Sequence, residues 1–211
     1  MMGRFFVVDG PDGVGKTTLV QRLAARLRAL GRDVLEVREP GGTPIAEAAR
    51  AAVLDPQLDA TPLAELFLIL AARADLVARV IRPALEAGKI VIADRYDLST
   101  WAYQVEGRNL PANEVLAANR LATGGLAPDL TLVLDAPVAV LRRRLAALGK
   151  TPDRMESAGH DVRERIARAF REARGAGIVH LDAVGPADEV EAAAWSAVRA
   201  CVDGTRESTP G

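Results

Sequence analysis

The 211-residue chain is expected to fold as a three-layer α/β domain, a five-stranded parallel sheet with helices on both faces. Two observations predict this. Short, continuously apolar runs alternate with segments whose apolar positions recur at helical spacing, and strands of that kind belong in a parallel sheet buried on both sides. Polar residues gather just after the apolar runs, at the strands' carboxyl ends, where an open α/β sheet receives its ligands.

"RFFVVD" (4–9) is the first strand. Leu19, Val20, Leu23, Leu27 and Leu30 follow at helical spacing, and Gly31 supplies the stop. "DVLEV" (33–37) is the second strand and 45–54 a short helix. Thr61 as N-cap and Pro62 in the first turn open a long helix, with a break expected near Pro83. "KIVIAD" (89–94) is the third strand, followed by helical stretches at about 98–106 and 112–123. "LTLVLD" (130–135) is the fourth strand, trailed by a helix over 138–148, a charged loop and a helix over 161–174. "GIVHLD" (177–182) is the fifth strand and 187–202 the closing helix. One domain spans 1–203, and the polar tail 204–211 is expected to fray.

With 27 basic residues against 28 acidic, the chain has no basic excess of the kind that nucleic-acid binders carry. No apolar stretch is long enough to span a bilayer, and none opens the chain as a signal peptide would. A single cysteine, Cys201, suits a reducing compartment. A cytoplasmic protein without a nucleic-acid or membrane partner is expected. His160 and His180 have no metal-ligand spacing, and they and Trp195 are expected to be structural.

"GPDGVGKT", Gly10 to Thr17, fits G-x-x-x-x-G-K-[ST] and stands between a strand and a helix, as that motif requires. Gly10, Pro11, Asp12, Gly13, Val14 and Gly15 form a loop whose backbone N–H groups turn toward phosphate oxygens. Lys16 is placed to reach the β- and γ-phosphates of ATP, Thr17 to ligate Mg²⁺, and Thr18 closes the stretch expected to bind ATP. Such a P-loop serves switches, motors and small-molecule kinases alike. The acceptor side has to discriminate. Asp94 and Arg95 end the third strand, Arg38 ends the second, and Arg73 lies on the long helix. Three arginines near an anionic donor suit a second anionic substrate.

"GPDGVGKTT", "REPGGT", "DRYDLSTWAYQ" and "DRME" occur in an order and spacing that resembles bacterial thymidylate kinases, from about Phe5 to Asp182. The resemblance implies a P-loop kinase fold with a mobile lid at about 145–160, transfer of the ATP γ-phosphoryl group to dTMP, Mg²⁺, and a homodimer. It also implies roles for particular residues. Arg95 would hold the dTMP phosphate, with Asp94 between the phosphates and the metal and Arg38 as a further phosphate or closure contact. Asp12 would meet the sugar 3′-hydroxyl and Tyr103 would crowd C2′. Arg73 would face thymine O4, Thr100 and Gln104 would line the base, and Arg143 would pack on adenine.

Three positions depart from the family pattern. Ile69 stands where a phenylalanine usually stacks on thymine, and Phe67 is expected to pack in the core instead. The P-loop has no arginine, which leaves Arg154 and then Lys150 in the lid as the transition-state cation. Asp9 replaces a glutamate, with a magnesium-water contact still within its reach. Two other readings stay open at this point: a kinase for another pyrimidine monophosphate such as dUMP, and a nucleotide-binding regulatory relative with weak catalysis.

Overall fold

The computed structural model describes residues 3–147 and 159–204. Five parallel strands, β1 (Arg4–Asp9), β2 (Val34–Arg38), β3 (Ile90–Asp94), β4 (Leu130–Asp135) and β5 (Ile178–Asp182), form one sheet in the order β2-β3-β1-β4-β5. The expected α/β class and strand count are both present. Because β1 is central, its carboxyl end faces the point where the chain departs to either side, the usual ligand crevice of such sheets. The pairing Val8↔Asp94 sets the end of β3 beside the loop that leaves β1.

Alternation along β1 builds the two halves of the core. Phe6 and Val8 point to one face, where α1 (Lys16–Ala29) and the C-terminal Ala187–Asp203 helix pack through Leu23, Leu27 and Val198. Phe5 and Val7 point to the other, toward Leu76, Ile81 and Tyr96. The Tyr96 ring meets Phe5 edge-on at 5.0 Å, and each such fully buried side chain contributes about 1.5–3 kcal/mol. Gly31 ends α1 at φ +73°, with the Arg32 N–H returning to Leu27 O.

After α2 (Pro44–Leu54), α3 (Pro62–Leu76) starts at Thr61, whose hydroxyl accepts the Ala64 N–H at 3.4 Å. The break expected near Pro83 does not occur. The helix widens into a π segment at Val77–Ile81 and continues as α4 (Arg82–Glu86). A proline clashes with the carbonyl four residues back in a regular helix, and the wider turn gives that carbonyl room. A second π segment, Trp101–Gly107, extends α5 (Asp97–Thr100). α6 (Ala112–Thr123), α7 (Val138–Ala147), α8 (His160–Glu172) and α9 (Ala187–Asp203) complete the layers.

Phe67 departs from its expected core place. It is exposed, on the face of α3 it shares with exposed Leu63. Trp195 is buried, with the Arg26 guanidinium 4.4 Å above its ring. His180 lies exposed in β5, its ring nitrogen 2.7 Å from Ala173 O. Most of the expected lid, with Lys150 and Arg154, and the tail from 205 lie outside the described residues.

Candidate functional site

Between β1 and α1 the loop turns back on itself over Gly10–Gly15. Gly10 sits at φ +142°, and a Cβ there would lie 2.5 Å from Leu134 O. Gly15, the residue before α1, sits at φ +104° in open space, so backbone conformation rather than room demands glycine there. The result is a concave run of N–H groups at the N-terminus of a 14-residue helix. Lys16 is buried and donates to Pro11 O at 2.9 Å, with Asp12 Oδ1 at 3.9 Å. Burial and neighbouring Arg95 push its ammonium down to about 8, against the pull of Asp12, Asp94 and Asp9. The Thr17 hydroxyl donates to Asp94 Oδ2 at 2.5 Å.

Arg95 links this cradle to a second cleft. Its φ of +78° is unusual for a long side chain, a strain of about 1–3 kcal/mol that its partners hold in place. The guanidinium donates to Asp12, to Gly10 O at 3.2 Å, to Ser99 Oγ at 2.9 Å and to the Tyr103 hydroxyl at 3.3 Å. Tyr103 in turn donates to Asp12 Oδ2 at 2.6 Å. Burial pushes the Asp12 carboxyl up, but Arg95, Lys16 and the Tyr103 hydrogen bond outweigh it and hold it at about 2.

Asp12, Arg95, Ser99, Thr100, Tyr103 and Gln104 face Glu39, Arg50, Ile69 and Arg73 across a cleft of about 110 Å³. A nucleotide-sized ligand usually fills 300 Å³ or more. Arg95, crossing to Asp12, occupies part of that room. Arg73 is 1% exposed and donates to Glu39 Oε2 at 2.6 Å, Thr100 Oγ1 at 2.8 Å, Asn119 Oδ1 at 2.6 Å and Tyr96 O at 2.9 Å. Burial raises the Glu39 carboxyl to about 7 despite Arg73 beside it, and its Oε1 has no hydrogen-bond partner among the described residues. A larger cleft, about 710 Å³, runs past Leu98, Trp101, Arg168 and Ile178. It contains no P-loop residue, so the chemistry belongs to the smaller one.

Comparison with known proteins now bears on this geometry. The family model for thymidylate kinase matches residues 8–194. A thymidylate kinase of Deinococcus radiodurans is 45% identical over 199 residues, 93% of this chain and 96% of that protein. One of Cereibacter sphaeroides is 48% identical over 204 residues, 93% and 94% of the two chains. One of Pseudomonas putida is 46% identical over 171 residues, 81% of each. The chain belongs to the thymidylate kinase family.

In this thymidylate kinase family member the residues singled out from sequence separate into groups. Asp12, Ile69, Arg73, Arg95, Thr100, Tyr103 and Gln104 converge on one cleft, next to Lys16, Thr17 and Asp94. Arg38 lies outside it. Along β2 and its extension alternate side chains take opposite sides, so with Glu39 turned in to Arg73, Arg38 turns out to Glu47 at 2.9 and 3.0 Å. Asp9 is fully buried, and its two oxygens accept from the Gly10, Tyr96 and Ser99 N–H groups and the Ser99 hydroxyl. It braces the turn after β3. Arg143 is exposed on α7, the helix whose Leu141 and Leu145 pack against Gly13.

Of the polar residues lining the cleft, Glu39, Arg50 and Ser99 were not singled out from sequence, and neither was Glu65, which stands behind it. Period-2 alternation through "VREP" says that Arg38 and Glu39 take opposite sides, but not which of them turns inward. Arg50 and Glu65 have no such signal, because a charged residue in a helix reads as surface.

Thr17 and Asp94 bring together oxygen donors that could hold Mg²⁺, whereas the two oxygens of Asp9, the third residue expected near the metal, already accept four hydrogen bonds between them. Among the described residues no cluster of three or more His, Cys, Asp or Glu side chains could hold a metal. A hydroxyl and a carboxylate meeting beside a phosphate cradle fit Mg²⁺, which keeps most of its shell as water and substrate phosphate.

Proposed function

We propose that the chain transfers the γ-phosphoryl group of ATP to dTMP, giving ADP and dTDP, with Mg²⁺ held by Thr17 and Asp94. The carrying observation is the cleft that opens beside the P-loop, where Arg95 and Arg73 converge with Arg50 and the α5 segment. Membership of the thymidylate kinase family supports the choice of acceptor.

Reaction requires the Arg95–Asp12 link to exchange partners. The dTMP phosphate displaces Asp12 as the anion on Arg95, and Asp12, already ionised, becomes free to accept the sugar 3′-hydroxyl. Tyr103, buried and hydrogen-bonded to Asp12, stays as the wall against C2′, where a ribonucleotide would carry its extra hydroxyl. Lys16 leaves Pro11 O for the donor phosphates. Held by Thr17 and Asp94, Mg²⁺ would supply positive charge beside the donor phosphates. An acceptor phosphate oxygen is already ionised near neutral pH, so alignment and charge neutralisation are the main demands. From the sequence, Arg154 with Lys150 completes the cation set, and Arg143 packs on adenine from α7.

We also read the chain as a homodimer. Leu63 and Phe67 on α3 and Leu116 on α6 are exposed, on helices that pack together through Leu66, Leu70 and Val115. A cytoplasmic location is read from a chain with a single cysteine, which suits a reducing compartment; no described helix is long and apolar enough to cross a membrane.

The test is a coupled ADP-release assay with Mg-ATP and dTMP, dUMP, dCMP, dGMP, UMP or no acceptor. Strong preference for dTMP is expected. Equal or better turnover with another monophosphate would reassign the acceptor, and silence with all of them would remove the kinase reading.

A further inference from the structure

We propose that Glu65 is a positioning residue that fixes which end of the Gln104 amide faces the acceptor cleft, and through it which pyrimidine edge the cleft accepts. The inference rests on the thymidylate reading above and deepens it.

Glu65 lies in the first turn of α3 and is wholly buried. An isolated carboxylate could not remain there ionised, and this one is paired. Arg108 donates from Nε to both oxygens at 3.2 Å and from Nη2 to Oε2 at 3.0 Å. Gln104 Nε2 donates to Oε1 at 2.8 Å. A carboxylate gripped in this way only accepts. Chemistry therefore decides the amide's orientation: the NH₂ end points back to Glu65 and the carbonyl Oε1 is the free end. Among the described residues no protein group donates to that oxygen, and Gln104 lines the cleft together with Thr100 and Tyr103.

The cleft thus offers an obligate acceptor at Gln104 and an obligate donor at Arg73. Thymine and uracil present the complement, an N3–H donor next to the O4 acceptor. Cytosine presents the reverse, an N3 acceptor next to an amino donor. Glu39 and Arg73 set one of the two polarities, and Glu65 sets the other by a side chain that does not itself line the cleft. If Glu65 were an amide it could accept or donate, and Gln104 would rotate freely.

The experiment compares dTMP and dCMP kinetics in the wild type, Glu65→Gln, and the reciprocal double variant Glu65→Gln with Gln104→Glu. The wild type should prefer dTMP. In Glu65→Gln, the KM for dTMP should rise with kcat nearly unchanged, and the dTMP:dCMP ratio of kcat/KM should fall roughly tenfold or more. The double variant keeps one carboxylate for Arg108 and places an acceptor at 104 in every rotamer, so the ratio should recover. A purely structural role would not restore base choice in this way.

An unchanged ratio in Glu65→Gln overturns the proposal, as does a wild type that uses dCMP as readily as dTMP. Should Glu65→Gln fail to fold, the double variant decides alone: a retained ratio supports the assignment and a collapsed one removes it. A wild type with no dTMP turnover removes the thymidylate reading itself, an outcome distinct from the others.

Discussion

The donor cradle and the acceptor cleft share Asp12 and Arg95 yet are made of different material. The cradle is one contiguous stretch, Gly10–Thr17, whose binding groups are mostly backbone N–H and whose shape follows from glycine conformations. The cleft is assembled from the end of β2 and from α2, α3 and the α5 segment, and its reading groups are side chains. Behind those side chains stand buried charge pairs, Arg73 with Glu39 and Arg108 with Glu65. A backbone site needs no partners to be correctly posed. A side-chain site does, so substitutions behind the cleft should matter in a way that substitutions behind the cradle do not.

The largest effect should come from the cradle's single essential side chain. Lys16→Ala is expected to lower kcat by about a thousandfold, the upper end of the roughly 10²–10³ that one preorganised contact on the reacting group is commonly worth. The dTMP KM should hardly move. Single-turnover kinetics checks both; a parallel rise in the dTMP KM would mean that the two regions are not separable at Lys16.

Arg95→Ala comes next, and it tests the shared boundary. Removing one member of a buried hydrogen-bonded charge pair typically costs about 2–5 kcal/mol, or roughly 30- to several-thousandfold in kcat/KM for dTMP. ATP affinity, followed by nucleotide titration, should change far less, because Arg95 touches the cradle only at Asp12 and Gly10 O. Unaltered dTMP kinetics would dismiss Arg95 as the acceptor's anchor.

This contrast also explains what was legible beforehand. The sheet, its helices and the cradle follow from short-range signals: apolar runs, glycine at fixed spacing, a threonine before a proline. Arg73 and Arg95 stand out as arginines near an anionic donor, while the acceptor roles of Asp12, Thr100, Tyr103 and Gln104 come from a family resemblance, and the cleft brings all six together. Their supports were not legible. Glu65 reads as an ordinary first-turn acid, and only tertiary packing sets Arg108 and Gln104 against it. Arg38 and Glu39 are adjacent in sequence; which one turns inward depends on strand phase at the very end of β2, where the pattern is shortest. Phe67 misled because apolar character on a helix says nothing about which face the protein covers.

Glu39→Gln probes the cleft's supports through pH. The folded carboxyl lies at about 7, above the ordinary glutamate value of 4.5, chiefly through burial. A raised acid binds its proton more tightly in the folded state. The resulting stabilisation is complete below about 4.5 and is lost as pH rises through about 7. Glutamine does not titrate, so the melting temperature of the wild type should fall relative to Glu39→Gln across that window and run parallel to it above. Parallel curves throughout would mean that the carboxyl titrates alike in the folded and unfolded chain, and a wild type that gains on Glu39→Gln as pH rises would mean that Arg73 holds Glu39 ionised as a simple ion pair.

Ile69→Phe should have the smallest effect. Ile69 is half-buried, lines the cleft, and stands four residues before Arg73 on the same face of α3. It can press on a flat base but offers no ring. A stacked ring adds about 0.5–1.5 kcal/mol beyond its area, so the dTMP KM should fall roughly two- to tenfold while kcat and the ATP KM stay put. Enlarging a core side chain often costs stability, but this one borders open cleft rather than packed interior, so the melting temperature should change little. A gain for dTMP and dUMP alike would point to stacking alone. A gain confined to dTMP would locate the new ring against the thymine methyl group. No gain at all would hand the apolar wall to Val53, Leu54 and Pro40 on the other side of the cleft. In that case the cleft grips its ligand from the β2–α2 side, and α3 contributes only the charge of Arg73.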